Sequence, residues 1–183
     1  MFTAPYRLAS AAALLSPSIA TAQISVDPAA GVVTCQVVTG RFQQRVLTGA
    51  GEVRRMGGRI RLLTAASGTR WVPAAGFLFK SRNDQNAGVQ IALSPDRRNV
   101  MLVGLRLPGR PELIELGTLP ADRWIEVSVS LDRKRLMTVG VAGRTFRRRV
   151  RLAEPIESVM HCNSGTFEFV LEPGLGLTDP PAR

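Results

Sequence analysis

Trp124–Gly143, WIEVSVSLDRKRLMTVGVAG, is the stretch that decides the fold. Ile125, Val127, Val129 and Leu131 alternate with Glu126, Ser128 and Ser130. Apolar side chains at every second position mark a strand with one face in a core and the other in water. After Asp132-Arg133-Lys134-Arg135, the alternation resumes with Met137, Val139 and Val141 set against Leu136, Thr138 and Gly140. Two such runs joined by a short polar segment predict an antiparallel hairpin. Its apolar face needs a second layer, which puts the hairpin near the centre of a sheet packed on another.

The same rhythm extends in both directions. On the N-terminal side, Gly31–Val38 and Arg41–Leu47 read as strands, and Glu52–Met56 and Arg59–Leu63 flank Gly57-Gly58 as the arms of a hairpin. Gly76–Ser81, Val89–Ser94, Val100–Leu107 and Glu112–Leu116 follow, separated by polar or proline-glycine turns. On the C-terminal side come Thr145–Leu152, Glu157–Cys162 and Thr166–Glu172. Turn signals recur every eight to twelve residues or so, and no segment holds a helical period. About a dozen short strands in this pattern predict an all-β sandwich or barrel.

The N-terminus reads as a signal peptide over residues 1–22. Arg7 is the positive n-region, Leu8–Leu15 the apolar run, and Ala20-Thr21-Ala22 the small residues before cleavage between Ala22 and Gln23. The apolar run is too short to span a bilayer, and no later stretch approaches the length required. The expected organisation is therefore a β-sandwich over 23–172, with a polar leader at Gln23–Ala30 and a loose tail over 173–183. Export places the chain in the periplasm or outside the cell. There, an even count of two cysteines, Cys35 and Cys162, favours a disulfide tying an early strand to a late one.

The chain carries 24 Lys+Arg against 14 Asp+Glu, a formal charge of +10, and its only lysines are Lys80 and Lys134. Arginine binds carboxylates, sulfates and phosphates with two parallel hydrogen bonds, so the excess points to an anionic partner. Arg147, Arg149 and Arg151 alternate along one strand and form a comb, which Arg144 extends. Side chains two apart on a strand stand roughly 6.6–7 Å from each other, a spacing that lines one ridge. The competing reading is a charged edge that resists aggregation. Aromatic residues are 5% of the chain, too few for the stacking platforms of single-stranded nucleic acid, so nucleic acid is disfavoured as partner.

Three stretches carry a resemblance to a known family. Residues 76–103, GFLFKSRNDQNAGVQIALSPDRRNVMLV, resemble the middle of concanavalin A-like domains, the lectin/glucanase and laminin-G-like superfamily. Residues 121–146, ADRWIEVSVSLDRKRLMTVGVAGRTF, are similar to the next unit of those domains, a Trp-led strand, a charged turn and a second strand. Residues 164–177, SGTFEFVLEPGLGL, look like the closing strand. The resemblance implies an antiparallel jelly-roll of two sheets that binds saccharide, in some members with calcium and in some with glycan cleavage.

Few residues answer to that chemistry. Glucanases of the superfamily set acids along one strand face, and the nearest match is Glu168 and Glu172, with Val170 where the middle acid belongs. Their Cα atoms stand about 13 Å apart on a regular strand, whereas glycosidase carboxylates work at roughly 5–9.5 Å. Asp84 with Asn83 and Asn86 offers oxygen ligands to calcium, but one acid is few for that ion. His161 is the only histidine, which excludes a multi-histidine metal site. Trp71 in a loop is a candidate to stack on sugar, and Trp124 reads as a structural residue opening its strand. These residues point first to an exported, non-enzymatic sandwich that binds glycan or another envelope polyanion. The alternatives are a glycan hydrolase or lyase, and a structural accessory held by an envelope protein.

Overall fold

The structure, a computed structural model, describes residues 22–49, 54–65, 72–97 and 99–178. Every regular element among them is a strand: β1 (Gln23–Asp27), β2 (Val32–Thr48), β3 (Arg54–Ala65), β4 (Ala74–Ser81), β5 (Asn86–Leu93), β6 (Val100–Arg106), β7 (Ile114–Pro120), β8 (Ile125–Leu131), β9 (Leu136–Val141), β10 (Arg144–Arg149), β11 (Ile156–Leu171) and β12 (Gly176–Thr178). All the pairings are antiparallel, and they join into one sheet that curls into two layers. The front layer runs β10-β9-β8-β3, then the second half of β11, the first half of β2, and β1. The back layer runs β7-β6-β5-β4, then the first half of β11, the second half of β2, and β12. This is the expected antiparallel jelly-roll sandwich.

Two strands turn the corner between the layers. β2 has 17 residues and β11 has 16, and each takes part in both sheets. Their pairing shifts register between Asn163 and Gly165. There Ser164 and Gly40 take positive φ angles of 47° and 73°, and the Gly40 N–H donates to Ser164 Oγ at 3.2 Å. A bulge of this kind bends and twists a strand enough for it to change sheets. Inside the bend, Cys35 from the front half of β2 and Cys162 from the back half of β11 form a disulfide. Their Cα atoms are 6.5 Å apart, the loop they close is 127 residues long, and both side chains are fully buried.

Alternation supplies the core. Ile125, Val127, Val129 and Leu131 of β8 are all buried, as are Met137, Val139 and Val141 of β9. From the back layer, β4 sends in Phe77 and Phe79, and β11 sends Phe167 and Phe169 from the front. Phe77 meets Phe169 edge to face with ring centroids 6.0 Å apart. Such pairs add about 0.5–1.5 kcal/mol beyond the area they bury.

Several expectations change. The Gly57-Gly58 pair is no hairpin; it lies inside β3, which runs straight through it. Both glycines are there for close approach: a Cβ on Gly58 would stand 2.1 Å from the Val170 carbonyl oxygen. The four runs Gly31–Val38, Arg41–Leu47, Glu157–Cys162 and Thr166–Glu172 are two long bent strands, because the bulge interrupts the pattern without ending the pairing. The leader is ordered as β1 on β2, and the tail returns as β12, where Gly176–Thr178 pair with Thr48–Val46. The strand placed at Glu112–Leu116 begins later, at Ile114. The β8–β9 hairpin lies toward the β10 edge of the front layer, with most of that layer on its other side.

Candidate functional site

The outward positions of the front layer follow from the register. β8 turns Glu126, Ser128 and Ser130 outward, and β3 places Arg59, Gly57 and Arg55 opposite them. β9 contributes Gly140 and Thr138, facing Thr145 and Arg147 of β10. On the other flank, Glu168 of β11 lies opposite Arg61 of β3 and Thr34 of β2. The face therefore has a floor of small residues (Ser128, Ser130, Thr138, Gly140) between charged flanks, while Gly57 is buried beneath the Glu172 carboxylate, which a Cβ there would meet at 2.6 Å. At Gly140 a Cβ would come within 2.6 Å of Ser128 Oγ, a hydroxyl that can rotate aside.

Trp124 stands one residue before β8, so it shares the outward side with Glu126 and falls beside Arg61. Its ring is partly exposed, with the guanidinium carbon of Arg61 4.6 Å and that of Arg59 5.5 Å from the ring centroid. Cation–π contacts of this kind contribute about 0.5–1 kcal/mol at exposed sites. Arg61 is held in turn by Glu168, whose Oε2 accepts from Arg61 Nε at 3.1 Å and from Nη2 as well. Two strands away from β8, Glu172 accepts from Arg55 Nε and Nη2, both at 3.3 Å, and this holds the Arg55 pKa above its ordinary value. The cluster Trp124–Arg59–Arg61–Glu168 combines an apolar ring, guanidinium donors and a carboxylate acceptor on one open surface.

The residues singled out in sequence do not all meet. Arg147 and Arg149 share the outward front face, as expected of the comb. β10 ends at Arg149, so Arg151 lies beyond the strand, and Arg144 falls on the opposite side with Phe146. Arg149 and Arg151 instead border a depression of about 650 Å3 with Lys134, Arg135 and Gln85. Arg144 borders a separate apolar cleft of about 240 Å3 where the edges of β7 and β10 face each other, beside Leu116, Leu119 and Phe146. Trp71 lies outside the described residues. Glu168 and Glu172 lie on one face, but each carboxylate is engaged by its own arginine, Arg61 and Arg55 respectively.

The remaining candidates have other surroundings. Asp84 accepts a salt bridge from Lys80 at 3.3 Å, and Asn83 Oδ1 accepts from Ser81 Oγ, so an ammonium stands where the Asn83–Asn86 turn would offer oxygens to calcium. Among the described residues no group of three or more His, Cys, Asp or Glu is placed to hold a metal ion. His161 is buried on the outer side of the back layer, opposite Gly76. Burial pushes its pKa down to about 4, the charge of Arg106 adding to this. Ala22, at the expected cleavage point, gives its carbonyl to Gln43 Nε2 at 3.2 Å, and Gln23 opens β1. No described helix is long and apolar enough to cross a membrane.

The sequence pattern gives Trp124 a structural place at the start of its strand; the structure instead joins it to Arg59 and Arg61. The signal for that group was present: Arg59 and Arg61 alternate with Ile60 and Leu62, and Trp124 precedes Ile125 on the polar side of the alternation. What local pattern lacks is the β3–β8 pairing, which joins residues more than sixty positions apart.

No protein family matches the chain, and no curated protein matches it in sequence. Solved structures do share its fold. The alginate lyase AlgAT5 from Polysaccharide Lyase family 7 superposes with a TM-score of 0.51 at 9% identity, over 85% of this chain and 82% of that one. The carbohydrate-binding module CBM66 from Bacillus subtilis gives 0.43 at 7% identity, over 81% and 88%. The alginate lyase from Alteromonas sp.272 gives 0.42 at 11% identity and covers 77% of this chain, which spans 59% of that enzyme's length. The fold shared with AlgAT5 is the antiparallel jelly-roll sandwich.

Proposed function

We propose that the protein is an exported, non-enzymatic jelly roll that binds carbohydrate, or an anionic envelope polymer, on the outer face of its front layer. The observation that carries this reading is Trp124, partly exposed beside Arg59 and Arg61 and next to Glu168. A partly exposed ring stacked with guanidinium groups and set beside a carboxylate offers apolar edges to the C–H groups of a sugar, and donors and an acceptor to its hydroxyls and acid groups. The floor of glycine, serine and threonine leaves space above the sheet for a chain to lie. A fold shared with an alginate lyase fits this reading. Export rests on residues 1–22, and N-terminal sequencing of the secreted protein should begin at Gln23.

The test is retention and calorimetry against a panel of neutral and acidic polysaccharides. Trp124→Ala and Arg61→Ala should each lower affinity about tenfold, a loss of roughly 1.4 kcal/mol, with unchanged circular dichroism. No retention by the wild type on any glycan, or unchanged affinity in both variants, overturns the reading. Cleavage products that the wild type releases and Glu168→Gln does not would replace it with a glycan hydrolase or lyase.

A further inference from the structure

We infer that the ligand is an acidic glycan and that it runs from Trp124 across the small-residue floor into the depression bounded by Lys134, Arg149 and Arg151. This rests on the reading of the front face as a glycan site, and it names the charge and the course of the chain bound there.

The argument starts from which cations have partners. Arg54 and Arg135 share Glu154, Arg55 holds Glu172, and Arg61 holds Glu168. Lys134, Arg147, Arg149 and Arg151 have no acidic partner among the described residues. Arg59 beside Trp124, and Arg41, Arg82, Arg97, Arg110 and Arg123 elsewhere, also stand without an ion pair among the described residues; what sets the β10 end apart is that Lys134, Arg149 and Arg151 border one depression, with Arg147 a step back, and no described acid lines it. Like charges gathered on one rim repel, and a polyanion laid between them removes that cost.

The two regions are continuous. Arg149 belongs to both, pairing with Leu136 on the front face and lining the depression. Arg147 stands one step back along the same edge, opposite Thr138, which faces Ser130 of β8. From Trp124 to the level of Arg149 is eight residues along the strands and two strands across, a diagonal of roughly 25–30 Å. A polymer of several sugars spans that length; a single sugar does not.

The depression is also held in shape. The Val150 N–H donates to the Arg135 carbonyl at 3.0 Å, and Val150 and Leu152 are buried on either side of exposed Arg151. Glu154 ties this segment to Arg135 at 2.7 Å and to Arg54 at 3.2 Å, and accepts from the Ile156 N–H at 3.0 Å. Arg149 and Arg151 are therefore presented from an anchored segment, which limits the entropy lost when a ligand orders them.

Calorimetry with length-defined oligosaccharides tests this. The acidic series are galacturonate, mannuronate and heparin-derived oligomers, and cello-oligosaccharides are the neutral control. In the wild type, long acidic oligomers should bind at least tenfold tighter than short ones, and this gain should shrink as salt rises. The triple variant Lys134→Ser/Arg149→Ser/Arg151→Ser should lose the gain and keep the short-oligomer affinity. A triple variant that keeps the gain, or neutral long oligomers that match acidic ones, overturns the inference and leaves the front-face site standing. Long acidic oligomers held equally by wild type and Trp124→Ala, but not by the triple variant, would make the depression an isolated anion site and overturn the continuous path. Binding by no oligomer of any series overturns the front-face reading along with it.

Discussion

On the front layer β11 turns Thr166, Glu168 and Val170 outward; on the back layer the same strand turns out Glu157, Val159 and His161. Glu168 meets Arg61 at an open surface, whereas Val159 and His161 are buried. The neighbours on the back explain the difference. Gly76, Leu78, Gly88 and Gly104 occupy its outward positions, and all are buried. The segment between β6 and β7 lies down on this surface, bringing Leu113 Cβ to 2.9 Å from where a Gly104 Cβ would stand. Arg106 fastens that segment by donating to the Pro111 carbonyl. Small residues thus serve opposite ends on the two faces. On the back they admit a covering of protein, and on the front they leave room above the sheet with charge at its margins.

The largest way to break this contrast is to release the corner that holds the faces apart. Cys35→Ser with Cys162→Ser should cost roughly 2–5 kcal/mol, since the closed loop is long and the chain-entropy account scales with loop length. Denaturant unfolding of the oxidised wild type and the variant measures it, and equal midpoints would mean that the bulge alone fixes the bend. Next in size is a methyl group on each floor. Gly76→Ala puts a Cβ at 2.2 Å from the Val89 carbonyl oxygen, which belongs to a neighbouring backbone that must move. About 1–3 kcal/mol of destabilisation is expected from such overpacking. Gly140→Ala meets only Ser128 Oγ, which can rotate away. It should leave stability nearly unchanged and instead weaken glycan binding by raising the floor. Equal losses in urea unfolding would show that both faces are packed surfaces.

How much of this was written in the sequence depends on range. The β8–β9 hairpin was readable because its alternation and its turn lie within twenty residues. Asp132 Oδ1 accepts from the Leu136 N–H at 2.8 Å, and Arg135 takes a φ of 63°, closing the turn where the charged tetrad stands. The Cys35–Cys162 disulfide was readable from the even cysteine count together with the expected export. Gly57-Gly58 misled, because a glycine pair signals a turn unless another strand's backbone crowds it, and only the fold brings Val170 there. The comb was half legible: parity joined Arg147 to Arg149, but not where β10 stops, which sends Arg151 to the depression. The Trp124 cluster depended on the register between distant strands, which alternation alone does not set.

The two smallest effects probe what each face contributes to stability. His161 lies under the back face with Nε2 unpartnered, and its folded pKa of about 4 is below the ordinary histidine value near 6.5. The unfolded chain then binds the extra proton more readily. Stability is fully present above about pH 6.5 and falls as the pH drops toward 4, by up to roughly 3 kcal/mol. Glu154, held below the usual carboxylate range first by Arg54, also loses its contribution as pH falls, but only at the acid end of that window. His161→Gln should flatten the stability profile between about pH 6.5 and 4; an unchanged slope would locate the titrating group elsewhere. On the front face, Arg55→Ala removes an exposed partner of Glu172, and surface pairs contribute about 0–1 kcal/mol. Unfolding should therefore barely register it, while affinity for acidic oligosaccharides drops. A stability loss on the scale of Gly76→Ala would mean that charge on the front holds the sheet together, and the distinction between a covered back and an open, ligand-facing front would no longer stand.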